Sequence, residues 1–444
     1  MKKQWVAAAL GLGIALLGTH VEAATLVVPD DFATVQAAID AANSGDRVSV
    51  RPGIYSGPID FLGKDVEVVA TDGPAVTVLQ ISGEGPIVTI ASGETRTALL
   101  EGFTLTGAIG EGDGGGLYIN AGPTIRGNII RDNQACIGAG ARVEGSGYPR
   151  FEDNRILDNE NLCTGPGAGG AGVRSFGAVV EIVGNEFRGN RTGAGSEGAA
   201  VKLNIGQDSL IEKNLFVENF ADGGSGGALA LVNSTTTLIT QNIFVGNEAV
   251  SGGALYWTAG PVQATMTNNT LIDNRAGSGS AFAIGGRVDH TRWVNNVLAA
   301  GSGTSLIHCG SVLQILPELI HNILHAEGAP IVAGDCEEQP SSTGNLMAPP
   351  MLRSDFSPLP ASPLVDAGLA DPLGVSGTDF YGQPRVVDGD LDGTPRIDIG
   401  AVERQPDSVE VPALEVWGLL ALAAGLGALG AARARRQAGL SGRT

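Results

Sequence analysis

The chain has 444 residues, with 27 Lys plus Arg against 47 Asp plus Glu, a formal charge of −20. So few cations exclude nucleic-acid binding by counterion release, and 43% apolar against 17% charged residues excludes a disordered acidic chain. The 67 glycines follow no Gly-X-Y period, which excludes collagen and favours a fold rich in tight turns.

Lys2 and Lys3, the apolar run VAAALGLGIALLG and then Val21-Glu22-Ala23 make a basic n-region, an h-region and a small-residue cleavage site. Residues 1–23 are therefore expected to be a signal peptide and the protein to be exported; the alternative, a short membrane anchor, has a run short for a span. Val35, Ala38, Ile39 and Ala42 lie on one helical face. That helix is expected to cap the N-terminal end of the domain at 24–343. RVSVRPGIY and DVEVVAT follow as short alternating strands.

The middle of the chain repeats. The pattern Asn-x-apolar recurs at Asn128, Asn154, Asn185, Asn214, Asn242, Asn269, Asn296 and Asn322, in steps of 26 to 31 residues. Three residues before each Asn stand Ile125, Phe151, Ile182, Ile211, Ile239, Met266, Trp293 and Leu319; two after stand Ile130, Ile156, Phe187, Phe216, Phe244, Leu271, Leu298 and Leu324. A second Asn follows five residues on in six copies, at Asn133, Asn159, Asn190, Asn219, Asn247 and Asn274. Gly-rich turns lead into further short strands between copies, and no crossover helix intervenes.

A coil of about 27 residues cannot bury its apolar columns alone, but coils stacked about 4.8 Å apart join them into a continuous core. The expected fold is all-β, a right-handed parallel β-helix with an N-terminal capping helix and a C-terminal hydrophobic tail helix. The Asn column is expected to be structural, bonding turn backbones between coils, with Asn adopting the left-handed conformation those turns require. Cys136 and Cys163 stand at equivalent points of consecutive coils, as do Cys309 and Cys336, each pair 27 residues apart. Two disulfides are expected, 136–163 and 309–336.

The segment ATVQAAIDAANSGDRVSVRPGIYSGPIDFLGKDVEVVA resembles the entry of pectin-lyase-like β-helix proteins, and the Asn-bearing coils resemble their generic repeats. Residues 344–404, with SPLVDAG, TDFYGQPR and RIDIGAVE, resemble the choice-of-anchor Q segment. A linker at 405–411 leads to a tail at 412–444, in which an apolar stretch from Val416 to Ala432 is closed by Arg433, Arg435 and Arg436. The tail is long enough to span a bilayer, and Val411, Pro412, Leu414, Trp417 and Gly418 resemble the IPTL-CTERM class of sorting signals. A buried C-terminal helix is the alternative. The resemblances imply an architecture and envelope sorting machinery as a partner, and little about activity.

Motifs for catalysis are sparse. The Asn-Thr-Asp, Gly-His-Gly and Arg-Ile-Lys motifs of polygalacturonases are missing, and Gly53-Ile54-Tyr55-Ser56-Gly57 matches the Gly-x-Tyr-x-Glu of pectin methylesterases in all but the acid. Val288-Asp289-His290 with Arg287 and Arg292 loosely resembles the Trp-Ile-Asp-His of pectate lyases, making Asp289, His290 and Arg292 the candidate catalytic residues. Asp388, Asp390, Asp392 and Asp398 surround a Gly-rich turn and suit calcium, the one cofactor expected. The expected function is that of an exported surface binding or structural module, with a polysaccharide or glycoconjugate as candidate ligand. The alternative is a lyase-like carbohydrate-active enzyme with groove residues from non-adjacent coils. Two or more acids with an Arg or Lys in an exposed groove would favour the enzyme.

Overall fold

The computed structural model describes residues 23–406, apart from 111, 113, 206, 234–235, 259–263, 287–290, 301–303, 316, 338–341 and 371–376. The expected tail helix and all but the last residue of the expected signal peptide lie outside the described residues. Among those described, no helix is long and apolar enough to cross a membrane.

One coil shows the logic of all. Thr124–Arg126 enters sheet A, Ile129–Arg131 sheet B, Gln134–Ala135 sheet C and Ala141–Glu144 sheet D, after which Arg150–Glu152 returns to sheet A. The corners between these strands, two of two residues and two of five, bend the chain without reversing it, so each strand pairs with its equivalent one coil later. Ile125 aligns with Phe151 and Phe151 with Ile182, and every pairing between named strands is parallel, as for Ile130 with Ile156. Sheets A, B, C and D hold 12, 11, 6 and 11 strands, and the chain is a parallel β-helix. The seven-residue helix Val35–Ala41 packs Val35, Ala38 and Ile39 into the core beside the first strands, with the Thr34 side chain accepting from Ala37 N at its start.

The middle residue of each three-residue strand points inward. Ile125 through Trp293 on sheet A and Ile130 through Leu298 on sheet B are fully buried, each contributing about 1.5–3 kcal/mol relative to exposure. Stacking in register makes Phe187, Phe216 and Phe244 a column, with ring centroids 5.0 and 4.6 Å apart.

The Asn side chains form ladders along the corners. Asn128 donates through its backbone N and its Nδ2 to Oδ1 of Asn154, and through Nδ2 to Leu100 O at 2.9 Å. The same pattern runs through Asn296 and Asn322 and on to Asn345, a further member. A second ladder joins Asn133 to Asn159 and continues to Asn274. The left-handed backbone falls on the residue before the ladder Asn, as at Asp153 (φ 54), Lys213 (φ 53), Asn268 (φ 52) and His321 (φ 51), and not on the Asn itself as expected. The ladder Asn has turned its side chain inward to the neighbouring coil; the residue ahead makes the bend and points its own side chain out.

Beyond the last coil, the chain returns along the outside of sheet B. Leu364 and Ile399 pack on Val297 and Ile323, and Ala401 and Val402 on Ile243. The outward side chains of the left-handed residues hold this strap: Asn295 exchanges two bonds with the backbone of Leu369, Asn268 Nδ2 donates to Asp398 O and Gly400 O, and Lys213 Nζ donates to Thr378 at 2.7 Å.

Candidate functional site

Flanking each inward residue are two outward ones, and in the earlier coils these carry charge. On sheet A, Arg126 pairs with Glu101 at 2.8 Å, Arg150 with Glu152 at 2.8 Å and with Glu181 at 2.6 Å, and Arg96 with Glu181 at 3.0 Å. On sheet B, Glu186 lies between Arg155 and Arg188, 2.8 Å from each. The Arg96 guanidinium sits 4.6 Å above the Tyr148 ring, which is 44% exposed. Two or more acids with arginines are thus present, but on a sheet face and neutralising one another, which is not the open groove that would favour an enzyme; the signal was the recurrence of Arg and Glu at outward positions of successive repeats.

Their protonation is set by these pairings. Partial burial works against ionising Glu181, but hydrogen bonds from Tyr148, Arg96 and Arg150 outweigh it and hold the carboxyl at about 2. Glu186 is lowered too, its burial outweighed by hydrogen bonds from Arg155 and Arg188. Asp153 is raised, first by burial and then by the adjacent Glu152.

Of the lyase-like candidates, Asp289 and His290 lie outside the described residues. Arg292 pairs with Glu318 at 3.0 Å on sheet A.

The acidic loop is arranged differently from the expectation. Asp398 is fully buried and accepts from Asp366 N and Arg404 N, both at 2.7 Å, so its oxygens are occupied. Asp392 Oδ1 accepts from Thr394 N in a local turn. The carboxylates brought together are Asp366, Asp388 and Asp390, with one oxygen of each within 4.8 Å of the others. Asp388 Oδ1 is buried and has no hydrogen-bond partner. No linear spacing revealed Asp366, which arrives from the strap's other limb.

Beside this loop, Arg385 is 1% exposed and donates to the carbonyls of Asp398, Gly400 and Ala401, with Glu403 3.6 Å away. Burial pushes Glu403 up to about 9, with the negative Asp398 adding to it, and pushes Asp398 to about 6. Both are sealed between strap and sheet.

Cys136 and Cys163 are bridged, their Cα atoms 4.6 Å apart. Cys309 is disulfide-bonded, while the side chain of Cys336 lies outside the described residues. The equivalence read from spacing does not hold there: the backbone aligns Cys309 with Gly334 and Cys336 with Gln314, because the ladder shifts register between Cys309 and Gln314.

A family model described as "Right handed beta helix region" matches residues 160–298, and gives the coils their hand. The catalytic unit of the thermostable GH87 alpha-1,3-glucanase from Streptomyces thermodiastaticus strain HF3-3 is similar in structure, with 14% identity and a TM-score of 0.38 over 77% of this chain and 69% of that one. Comparison with curated proteins finds no match. Residues 160–298 of this chain are thus similar to the right-handed β-helix region, and the parallel β-helix runs well beyond them on both sides.

Proposed function

We propose that the protein is an exported, envelope-anchored β-helix that binds polysaccharide along the charged outer face of sheets A and B without cleaving it. The observation that carries this reading is the saturation of the face by ion pairs: Glu101, Glu152, Glu181 and Glu186 each meet a guanidinium. Glycosidic hydrolysis needs an accessible carboxyl that holds its proton near neutral pH, and elimination a free base, which guanidiniums held in ion pairs do not supply. Asp398 and Glu403 hold theirs highest, and are buried. An array of Arg, Glu and Tyr offers donors and acceptors to a hydroxyl-rich chain, and the Tyr148 ring a stacking surface. Arg96, Arg126 and Arg150 balance Glu101, Glu152 and Glu181, which favours a neutral glycan over a polyuronate.

Asp153 favours a second reading, because its carboxyl is reachable from solvent yet raised by partial burial and then by Glu152. In that reading it is the acid of a carbohydrate-active enzyme. Incubating the full chain with neutral and acidic polysaccharides separates the two: retention without product supports binding, and product release lost in Asp153→Asn supports the enzyme.

The basic and apolar sequence at Lys2 to Ala23, the apolar tail and the Cys136–Cys163 bridge support export and anchoring, and the helix Val35–Ala41 serves to close the first coil. Calcium is proposed at Asp366, Asp388 and Asp390, a set supported by the partnerless buried oxygen of Asp388.

A further inference from the structure

A pocket of about 650 Å³ opens at the N-terminal end of the β-helix, away from the charged face. Its origin is local. The strand Thr77–Gly83 shifts register between Gln80 and Gly83, so the chain arches outward before Val88–Ile90 rejoins sheet D. On the opposite side Gln36 ties the helix to the first strand of sheet D, accepting from Asp60 N at 2.7 Å and donating to Asp60 O at 3.1 Å. The gap between arch and helix is walled by Ile59, Ile81 and Leu62, the last 49% exposed.

Two carboxylates reach this space, and among the described residues no Lys or Arg lines it. Asp60 accepts one bond, from Leu62 N at 2.8 Å, and Glu84 makes no hydrogen bond or ion pair with the described residues. The nearby Lys64 is committed elsewhere, donating to Ile39 O and Asp40 O at the end of the helix. The pocket therefore offers negative charge and acceptors above aliphatic walls, inside a chain of charge −20.

We propose that this pocket binds an aliphatic ammonium ligand, whose donors meet Asp60 and Glu84 while its methylenes lie on Ile59, Leu62 and Ile81. The site is independent of the polysaccharide reading. Pentanediamine, pentanediol and glutarate share a carbon skeleton and differ in charge, so titrating each into the full chain with methyl NMR isolates the electrostatic part. Pentanediamine should shift the methyls of Ile59, Leu62 and Ile81, weaken with added salt, and bind about fivefold less well to both Asp60→Asn and Glu84→Gln, as expected for loss of one charge-assisted contact. Glu84 is exposed and has no partner among the described residues, so Glu84→Gln keeps the fold and the test stands on it even if Asp60→Asn does not fold. Equal binding of the diol, unchanged affinity in Glu84→Gln, or shifts scattered over the acidic surface would overturn the assignment.

Discussion

The outer face of sheet B divides into two regions built on one interior. In the earlier coils its outward positions mix Ile129 and Leu157 with Arg131, Arg155, Glu186 and Arg188, and the charged ones form ion pairs. In the later coils the same positions include Leu215, Ile243, Ile272, Val297 and Ile323, which pack against the strap. Beneath both, the inward columns and the first Asn ladder continue unchanged, and the second ladder runs on to Asn274. The interior thus specifies the coil, while the exterior decides what meets it: solvent in one half, the protein's own C-terminal segment in the other.

The largest expected effect tests whether the interior is common to both halves. Replacing Asn159 or Asn242 by Ala strands the donors and acceptors of the neighbouring coils, such as Ile130 O and Ile211 O, which each Nδ2 now satisfies at 2.8–2.9 Å. Several buried groups at about 1–3 kcal/mol each give a loss on the order of 5 kcal/mol. Denaturant melts of both variants should show similar losses, and a large difference between them would break the comparison.

A smaller effect should separate the halves. Ile399→Asp places a charge in the strap's apolar contact with Val297 and Ile323 and should cost about 3 kcal/mol. Hydrogen exchange should rise across the strap and the outer edge of the later coils, and remain as in the parent chain around Arg155 and Glu186. Exchange rising equally in both regions would contradict the division.

The strap should also answer to pH. Glu403 keeps its proton in the folded protein up to about 9, against 4.5 ordinarily, and Asp398 up to about 6, against 3.8. The folded form binds more protons across those windows, so this contribution is complete below the ordinary values and declines as pH rises through the folded ones. Strap protection, corrected for intrinsic exchange, should fall between about pH 6 and pH 9, and Glu403→Gln should flatten that slope; a flat profile in the parent chain would count against a protonated Glu403.

The smallest effect concerns the exposed pairs. Glu186→Gln removes contacts to Arg155 and Arg188 that are open to water, and should shift stability by less than about 1 kcal/mol. A loss comparable to that of the ladder variants would mean the charged face is structural.

The parallel coils were legible because period, inward apolar columns and Asn positions are local and repeat. The identity of the left-handed residue was misplaced because the ladder Asn and the residue before it are adjacent, and spacing alone does not say which one bends. The meeting of Glu181 with Arg150 and Arg96 was hidden because those partners lie 31 and 85 positions from it in the chain. The expected set Asp388, Asp390, Asp392 and Asp398 differs from the three carboxylates that converge, because Asp398 belongs to the buried latch around Arg385 and Asp366 enters from a distant turn. The strap's docking could have been anticipated from the change at the outward sites of sheet B, from Arg and Glu to Leu, Ile and Val.

The central claim is that the ion-paired face binds a polysaccharide and leaves it intact. The most direct measurement is to incubate the full chain with polysaccharides on a solid support, following retention of the protein and release of oligosaccharides together, in parallel with Tyr148→Ala and Arg150→Ala. The account predicts retention on a neutral glycan, at least tenfold weaker in both variants as aromatic and charge-assisted contacts are lost, and no release. Oligosaccharide release by the parent chain, or retention unaffected by either substitution, would contradict it.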